Sequence, residues 1–145
     1  MLKRLMGTTD DVSFTVLRLV LGTVFFAHGA QKMLGWFGGF GFQGTMGAFT
    51  HMGMSSPVAF LVICTEFFGG LGLIVGLLTR IAALGIGGEM IGAIFMVHLS
   101  NGFFMNWMGT QKGEGIEYHF LVLAIAAALV LRGAGTFSLD RALST

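Results

Sequence analysis

Charge is scarce in this sequence. Only 10% of its 145 residues are Asp, Glu, Lys or Arg, whereas a soluble domain carries about 25%. Because so few charges cannot cover a globular surface, lipid is the expected solvent for much of the chain. The formal net charge of +1 gives no support to nucleic-acid binding, so no nucleic-acid partner is expected.

Cysteine and proline are also nearly missing, with one of each in the chain. The single cysteine, Cys64, rules out an internal disulfide and a two-cysteine thiol relay. The single proline, Pro57, leaves the long apolar runs free to form helices. Hydrophobic residues, by contrast, make up 54% of the chain.

Four apolar runs approach or reach the length that crosses a bilayer, which is about 20 residues. They cover about residues 12–33, 57–78, 80–100 and 117–132. The last run is short, so we expect it to be tilted or to draw on its flanks. Thr79 is expected to cap the third helix. These runs predict an all-α fold, an integral membrane four-helix bundle that forms a single domain over residues 1–145.

The basic residues predict how the bundle is oriented, because positive residues are enriched on the cytoplasmic side. Five of them fall on the side of the two termini and two on the other side: Lys3, Arg4, Arg80, Arg132 and Arg141 against Lys32 and Lys112. This excess predicts that both termini are cytoplasmic. The two long connections, about residues 34–56 and 101–116, then face outward.

Three charged residues interrupt the apolar runs: Arg18, Glu66 and Glu89. A charge at mid-membrane costs at least about 2.5–3.5 kcal/mol, so each of them is expected to face the bundle and find a partner. Arg18 is long enough to reach either carboxylate, and we predict a buried charge cluster of these three residues. Since one arginine cannot neutralise two carboxylates, one Glu is expected to be protonated or to share a proton. A purely structural ion pair is the alternative interpretation.

A second polar cluster is predicted at the outer ends of the helices. His28, Gln31 and Lys32 are spaced i, i+3 and i+4, so they share one helix face. His98 ends the third run and Glu117 begins the fourth run on the same side. Five polar groups are thus expected to converge at one depth.

The loop "GWFGGFGFQGT" follows this cluster directly, with Trp36 and Phe37 among glycines. Flat aromatic walls around a few polar groups suit a ring that carries two carbonyls, as a quinone does. We therefore predict an outer ligand pocket walled by Trp36 and Phe37 and lined by the five polar residues. A polar plug whose groups satisfy one another is the competing interpretation.

Two spacing arguments limit these hypotheses. Glu89 and His98 are nine residues apart, which is half a turn out of phase on a straight helix. They can face one cavity only if the helix bends near Gly92. The histidines His28, His98 and His119 match no strong ligand motif, so no metal site is predicted.

Several motifs are spread over nearly the whole chain: "HGAQKMLGWFGGFGFQGT", "EFFGGLGLIVGLLTRIAA", "HLSNGFF", "GIEY" and "GAGTFSLD". They resemble the DoxX family of small four-helix membrane proteins, from about Val16 to Asp140. The resemblance implies membership in membrane-bound redox assemblies, because the family is named for a small subunit of an archaeal thiosulfate:quinone oxidoreductase. It implies no catalytic assignment. The family pattern includes most of the residues singled out above, namely Arg18, His28, Gln31, Lys32, Glu66, His98 and Glu117.

Three classes of function stay open. The first is a quinone-linked redox or accessory subunit, which binds quinone non-covalently and takes electrons from a partner. The second is a purely structural or assembly subunit of a larger membrane complex. The third is a proton-coupled carrier of a small solute or lipid. The expected partners are the bilayer and either other subunits or a second copy of the chain. The expected location is the bacterial cytoplasmic membrane, and the sequence leaves open whether the chain is an enzyme.

Overall fold

A computed structural model describes residues 5–144, and these residues form helices and no β-strand. The helices are α1 (Val12–Leu34), α2 (Gly41–His51), α3 (Ser56–Val75), α4 (Thr79–Asn101), α5 (Glu117–Arg132) and α6 (Leu139–Ser144). The all-α prediction is confirmed for this part of the chain. Lys3 and Arg4, which the orientation argument uses, lie outside the described residues.

Three of these helices, α1, α3 and α4, are long and apolar enough to cross a membrane. Only 33%, 28% and 22% of their most apolar segments are buried within the chain, so most of each surface is free to contact lipid. Helix α5 has 16 residues, which gives a length of about 24 Å. That is shorter than the bilayer core of about 30 Å.

The turn between α3 and α4 explains why α3 ends at Val75 and not near residue 78. Gly76 and Leu78 both adopt left-handed backbone conformations, with φ of 71° and 51°. This conformation is common for glycine and costly for leucine. The chain reverses within three residues, and α4 begins at Thr79.

The connection over residues 34–56 is more ordered than an open loop. Gly35, with φ of 75°, ends α1, and a short 3₁₀ turn follows at Trp36–Gly38. Helix α2 then occupies most of the rest. It carries the chain back across the end of the bundle before α3 begins.

Both α3 and α4 contain a π-helical turn, at Thr65–Gly69 and at Ile94–His98. Such turns are often found at functional sites, because the extra residue re-aims the side chains that follow. Glu66 lies in the first turn and His98 in the second. The wider turn in α4 reduces the angular offset between Glu89 and His98 and provides the bend that the sequence requires.

Helix α1 packs closely against α3, because glycines remove the side chains at the contact. A Cβ atom at Gly29 would overlap the backbone of Phe67, and one at Gly70 would overlap the backbone of Phe26. Helix α5 packs against α4. The core between the helices is apolar and consists of Leu21, Phe25, Leu73, Ala83, Ile86, Met90, Val122, Ala126 and Leu129.

Arg18 is buried at the end of the bundle that holds the two chain termini. Its guanidinium donates hydrogen bonds to the carbonyls of Leu73, Ile74 (2.6 Å), Ala134 (3.1 Å) and Phe137 (2.6 Å). The first two carbonyls belong to the last turn of α3, which has no further helical donors. Arg18 therefore caps α3 and ties it to the C-terminal segment.

Asp140 caps the other kind of helix end, the start of α4. Its carboxylate accepts hydrogen bonds from the backbone amides of Leu78 (2.7 Å) and Thr79 (2.9 Å). The prediction that Thr79 caps this helix is wrong, because the Thr79 hydroxyl has no hydrogen-bond partner within residues 5–144. Arg80 likewise donates to the Val130 carbonyl (2.5 Å) near the end of α5. We call Arg18, Arg80 and Asp140 the capping cluster.

Candidate functional site: a polar cavity between α3 and α4

A cavity of about 520 Å³ lies between α3 and α4, on the side of the bundle away from the termini. Small-molecule sites have volumes of about 300–1,000 Å³ and combine apolar walls with a few polar groups. This cavity also has apolar walls, because aliphatic side chains, methionine and glycine make up most of its lining. Its polar lining residues come from three helices and are Thr65, Glu66, Glu89, His98 and His119.

The two carboxyl groups of the cavity lie near each other, and one of them pairs with a cation. Lys32 Nζ lies 2.5 Å from Glu66 Oε2, and Glu89 lines the same cavity as Glu66. Two neighbouring carboxylates repel each other, and a hydrogen bond between carboxyl groups requires a proton on one of them. One ammonium also cannot balance two carboxylates, so this pair is built to hold a proton.

The local fold explains how this pair is assembled. Gly29 lets α1 approach the backbone of α3 at Glu66 and Phe67, and Lys32 lies one turn further along α1. The π-helical turn that begins at Thr65 directs Glu66 towards α4, where Glu89 lies near the middle of the helix. Glu66 is buried, and only 22% of the Lys32 side chain is exposed.

Two histidines form the other polar side of the cavity. The rings of His98 and His119 lie 4.3 Å apart, centroid to centroid, at 46°. His98 Nδ1 is 2.8 Å from the carbonyl oxygen of Glu114, and because a carbonyl can only accept, Nδ1 carries the hydrogen. The neutral His98 ring then keeps Nε2 as an acceptor.

The predicted pairing of Arg18 with Glu66 or Glu89 is wrong. Arg18 bonds the carbonyls of α3 and the C-terminal segment, while Glu66 pairs with Lys32, and Glu89 lines the cavity with it. The reason is depth. Arg18 lies near the start of α1, level with the end of α3, and open carbonyls at that helix end are closer than either carboxylate. The predicted cluster of three charges is two separate sites.

The predicted outer pocket is also divided. His98 lines the cavity, and Lys32 contacts the cavity residue Glu66. His28 lies on an exposed face of α1. Gln31 donates a hydrogen bond to the Phe37 carbonyl (3.3 Å) and so holds the loop. These contacts favour a structural role for Gln31.

Glu117 is engaged in a different loop. Its carboxylate accepts hydrogen bonds from the Met105 amide (3.0 Å) and from Trp107 Nε1 (3.2 Å). These bonds order the connection between α4 and α5. Glu117 therefore supports the loop above the site and is not among the residues that line the cavity.

Trp36 and Phe37 do not wall this cavity. These residues are 53% and 70% exposed and are not among the residues that line the cavity. Both residues precede α2, and the cavity is covered by residues that come later in the same connection. These are Phe49, Met52 and Met54, which line the cavity.

Sequence reasoning missed His119 as a cavity residue, because a histidine near a helix end also suits the headgroup region. It is 5% exposed, and it lines the cavity beside His98. Its position could have indicated a cavity residue, since it lies in the first turn of an otherwise apolar helix at the depth of His98. Gly88 and Gly92 were also missed. Both line the cavity, and a Cβ atom at either position would meet nothing within 4 Å.

The fold and the buried polar cavity define a small helical membrane protein, and comparison with known proteins specifies it further. The DoxX family model matches residues 13–99, and the chain belongs to the DoxX family. It is 30% identical over 135 residues to "Putative oxidoreductase CatD" of Bacillus subtilis (strain 168), covering 93% of this chain and 90% of that protein.

A second relative covers both chains almost completely. The chain is 32% identical over 139 residues to "Inner membrane protein YqjF" of Escherichia coli (strain K12), with 96% of this chain and 98% of that protein covered. No solved structure shows significant similarity to this chain.

Proposed function

We propose that the cavity binds the ring of a quinone-like molecule and that the protein is a quinone-linked redox or accessory subunit of a membrane complex. One observation carries the proposal. A largely apolar cavity between two membrane-length helices is lined by two carboxyl groups, Glu66 and Glu89, and by two histidines, His98 and His119. The relative named as an oxidoreductase lends support, because a redox role is stated in that name.

The chemistry of the lining suits a ring with two carbonyl oxygens. Such a ring is flat and apolar on its faces, and its oxygens accept hydrogen bonds. The protonated carboxyl of the Glu66 and Glu89 pair can donate one of them, and the imidazole of His119 or a protonated His98 can donate another. Reduction of the ring to a quinol also consumes two protons, which a proton-sharing pair at the site is placed to relay.

Electrons for such a reaction have to come from a partner. The single cysteine cannot form a dithiol, so an electron donor carrying its own redox group would contact this chain. We propose other membrane subunits, or a second copy of the chain, as the proteins that cover its exposed faces. The loop after α4 offers large exposed apolar side chains for such contacts, namely Phe103, Phe104, Trp107 and Met108.

We also propose that the chain forms one domain over residues 1–145, a four-helix bundle in the bacterial cytoplasmic membrane with cytoplasmic termini. The capping cluster supports this arrangement, because it joins the start of α1, the α3–α4 turn and the C-terminal segment at one end. A cysteine at exposed Leu143 should resist an impermeant thiol reagent in intact cells, whereas a cysteine at Gly47 should react. The reverse pattern would place the termini outside.

The ligand proposal is tested with a cavity-filling variant and a matched control. Gly92→Leu places a side chain in the cavity, where open space accepts it without disturbing the packing. Gly47→Leu makes the same change at an equally open glycine of α2 that does not line the cavity. Titration of the purified protein with a short-chain quinone, followed by calorimetry, should show binding to the parent and to Gly47→Leu. Gly92→Leu should bind at least about tenfold more weakly.

Three results would change the conclusion. If Gly92→Leu binds quinone as well as the parent, the site lies elsewhere. If no variant binds quinone but other subunits co-purify in mild detergent, the assembly role is favoured. If neither quinone nor subunits are found and protons move when a solute is transported by reconstituted vesicles, the carrier role is favoured.

A further inference from the structure

A second depression adjoins the cavity along the outer seam of α3 and α4. It has a volume of about 410 Å³ and shares Thr65 and Gly85 with the cavity. The remaining lining residues contain no charged side chain and include Cys64, Phe68, Leu77 and Ile81. We call this depression the seam groove.

The seam groove runs away from the polar groups towards the α3–α4 turn. From Gly85 to Leu78 it follows α4 for seven residues, which is about 10 Å of helix. Gly85 lies at the junction of the two spaces. A Cβ atom there would lie 3.1 Å from Thr65 Cγ2, so α3 and α4 are in close contact at this point and a ligand that occupies both spaces passes over Gly85 and Thr65.

We propose that the ligand of the cavity carries a linear apolar chain and that this chain lies in the seam groove while the ring occupies the cavity. This inference rests on the proposed function and deepens it. The polar groups are confined to one of two adjoining spaces, and the other is apolar and lies on the exposed side of the helices. An amphiphile with one polar ring and one hydrocarbon chain has the same division.

The arrangement also gives the ligand a route into the site. Exposed apolar residues border both spaces, among them Leu61 and Met96 at the cavity and Ile81 at the groove. The seam therefore opens sideways towards the hydrocarbon region, where a chain-bearing quinone dissolves. Such a ligand enters from the membrane and need not cross water.

The test compares two quinones that have the same ring, one with a methyl group and one with a ten-carbon chain. The parent protein should bind the chain-bearing quinone at least about tenfold more tightly, because its chain makes packing contacts along the seam groove that the methyl quinone lacks. Ile81→Trp fills the seam groove from an exposed position and should remove this preference while leaving the methyl quinone unaffected. Leu84→Trp, which is 66% exposed on the same helix outside the groove, is the matched control and should keep the preference.

The Cys64 thiol provides a second measurement on the protein without groove substitutions. It lines the groove, and a membrane-permeant maleimide should modify it more slowly when the chain-bearing quinone is bound. The methyl quinone should give no protection. Equal protection by both quinones, or an equal preference in Ile81→Trp and Leu84→Trp, would overturn the seam-groove assignment and leave the ring site intact. Absence of binding by either quinone would overturn both.

Discussion

Two groups of buried charges lie in this bundle, and they differ in what the charges touch. In the capping cluster, Arg18 and Asp140 are each 1% exposed and bond backbone carbonyls and amides at helix ends. In the cavity, Glu66 pairs with the Lys32 side chain, and both Glu66 and Glu89 face open space. We call the cavity group, with Lys32, His98 and His119, the cavity cluster. Burial of charge alone does not separate structural from functional residues, whereas the identity of the partner does.

The difference follows from what each site needs. Helix ends leave several backbone groups without partners, so a charged side chain that meets several of them is stabilised in a fixed place. A carboxyl pair beside a cavity has no such fixed partner on its open side, and its protonation can change without breaking a helix cap. The capping cluster is therefore suited to stability and the cavity cluster to binding and proton exchange.

The largest effect on stability is expected from Arg18→Leu. The change removes a donor from four carbonyls, of which that of Leu73 keeps the Gly76 amide as a partner, and each buried group left without a partner costs about 1–3 kcal/mol. We expect the free energy of unfolding to fall by about 4 kcal/mol or more, measured as a large drop in the thermal midpoint in mild detergent.

Arg18→Lys is the control, because it keeps the charge but lacks the planar fork that reaches several acceptors. It should give an intermediate midpoint. If Arg18→Leu unfolds at the same temperature as the parent, the capping role of Arg18 is wrong.

The sequence predicted the elements of the fold better than their contacts. Long apolar runs placed α1, α3, α4 and α5 within a few residues, because the bilayer demands length and hydropathy that composition reveals. The helix in residues 41–51 was not predicted, since a connection with "GFGFQGT" has the glycine content of a loop. Its amphipathic role at the end of the bundle depends on what lies beneath it.

The partners of the buried charges were less predictable, and Arg18 shows why. Charge and depth pointed to a carboxylate, but backbone carbonyls carry no sequence signal. The carbonyl of Phe137 is 119 residues away along the chain, and only the folded arrangement brings it near. Lys32 was also assigned to the outer pocket, because the close approach of α1 to α3 at Gly29 was not visible from spacing alone.

The smallest effect on stability is expected from Glu89→Gln, although this residue is as deep in the membrane as any charge in the chain. The amide has the shape of the acid, can donate a hydrogen bond to Glu66 and removes the need for a shared proton. Lys32 and Glu66 then form a balanced pair. We expect the free energy of unfolding to change by less than about 1 kcal/mol. Quinone binding should lose the part of its pH dependence that comes from the shared proton and keep the part that comes from His98 and His119. Thermal midpoints and calorimetric titrations from about pH 5 to 9, the range in which histidines and perturbed carboxyls titrate, measure the two quantities on one preparation. A loss of stability as large as that of Arg18→Leu, with the pH dependence of binding unchanged from the parent, would place Glu89 among the structural charges and erase the distinction between the two clusters.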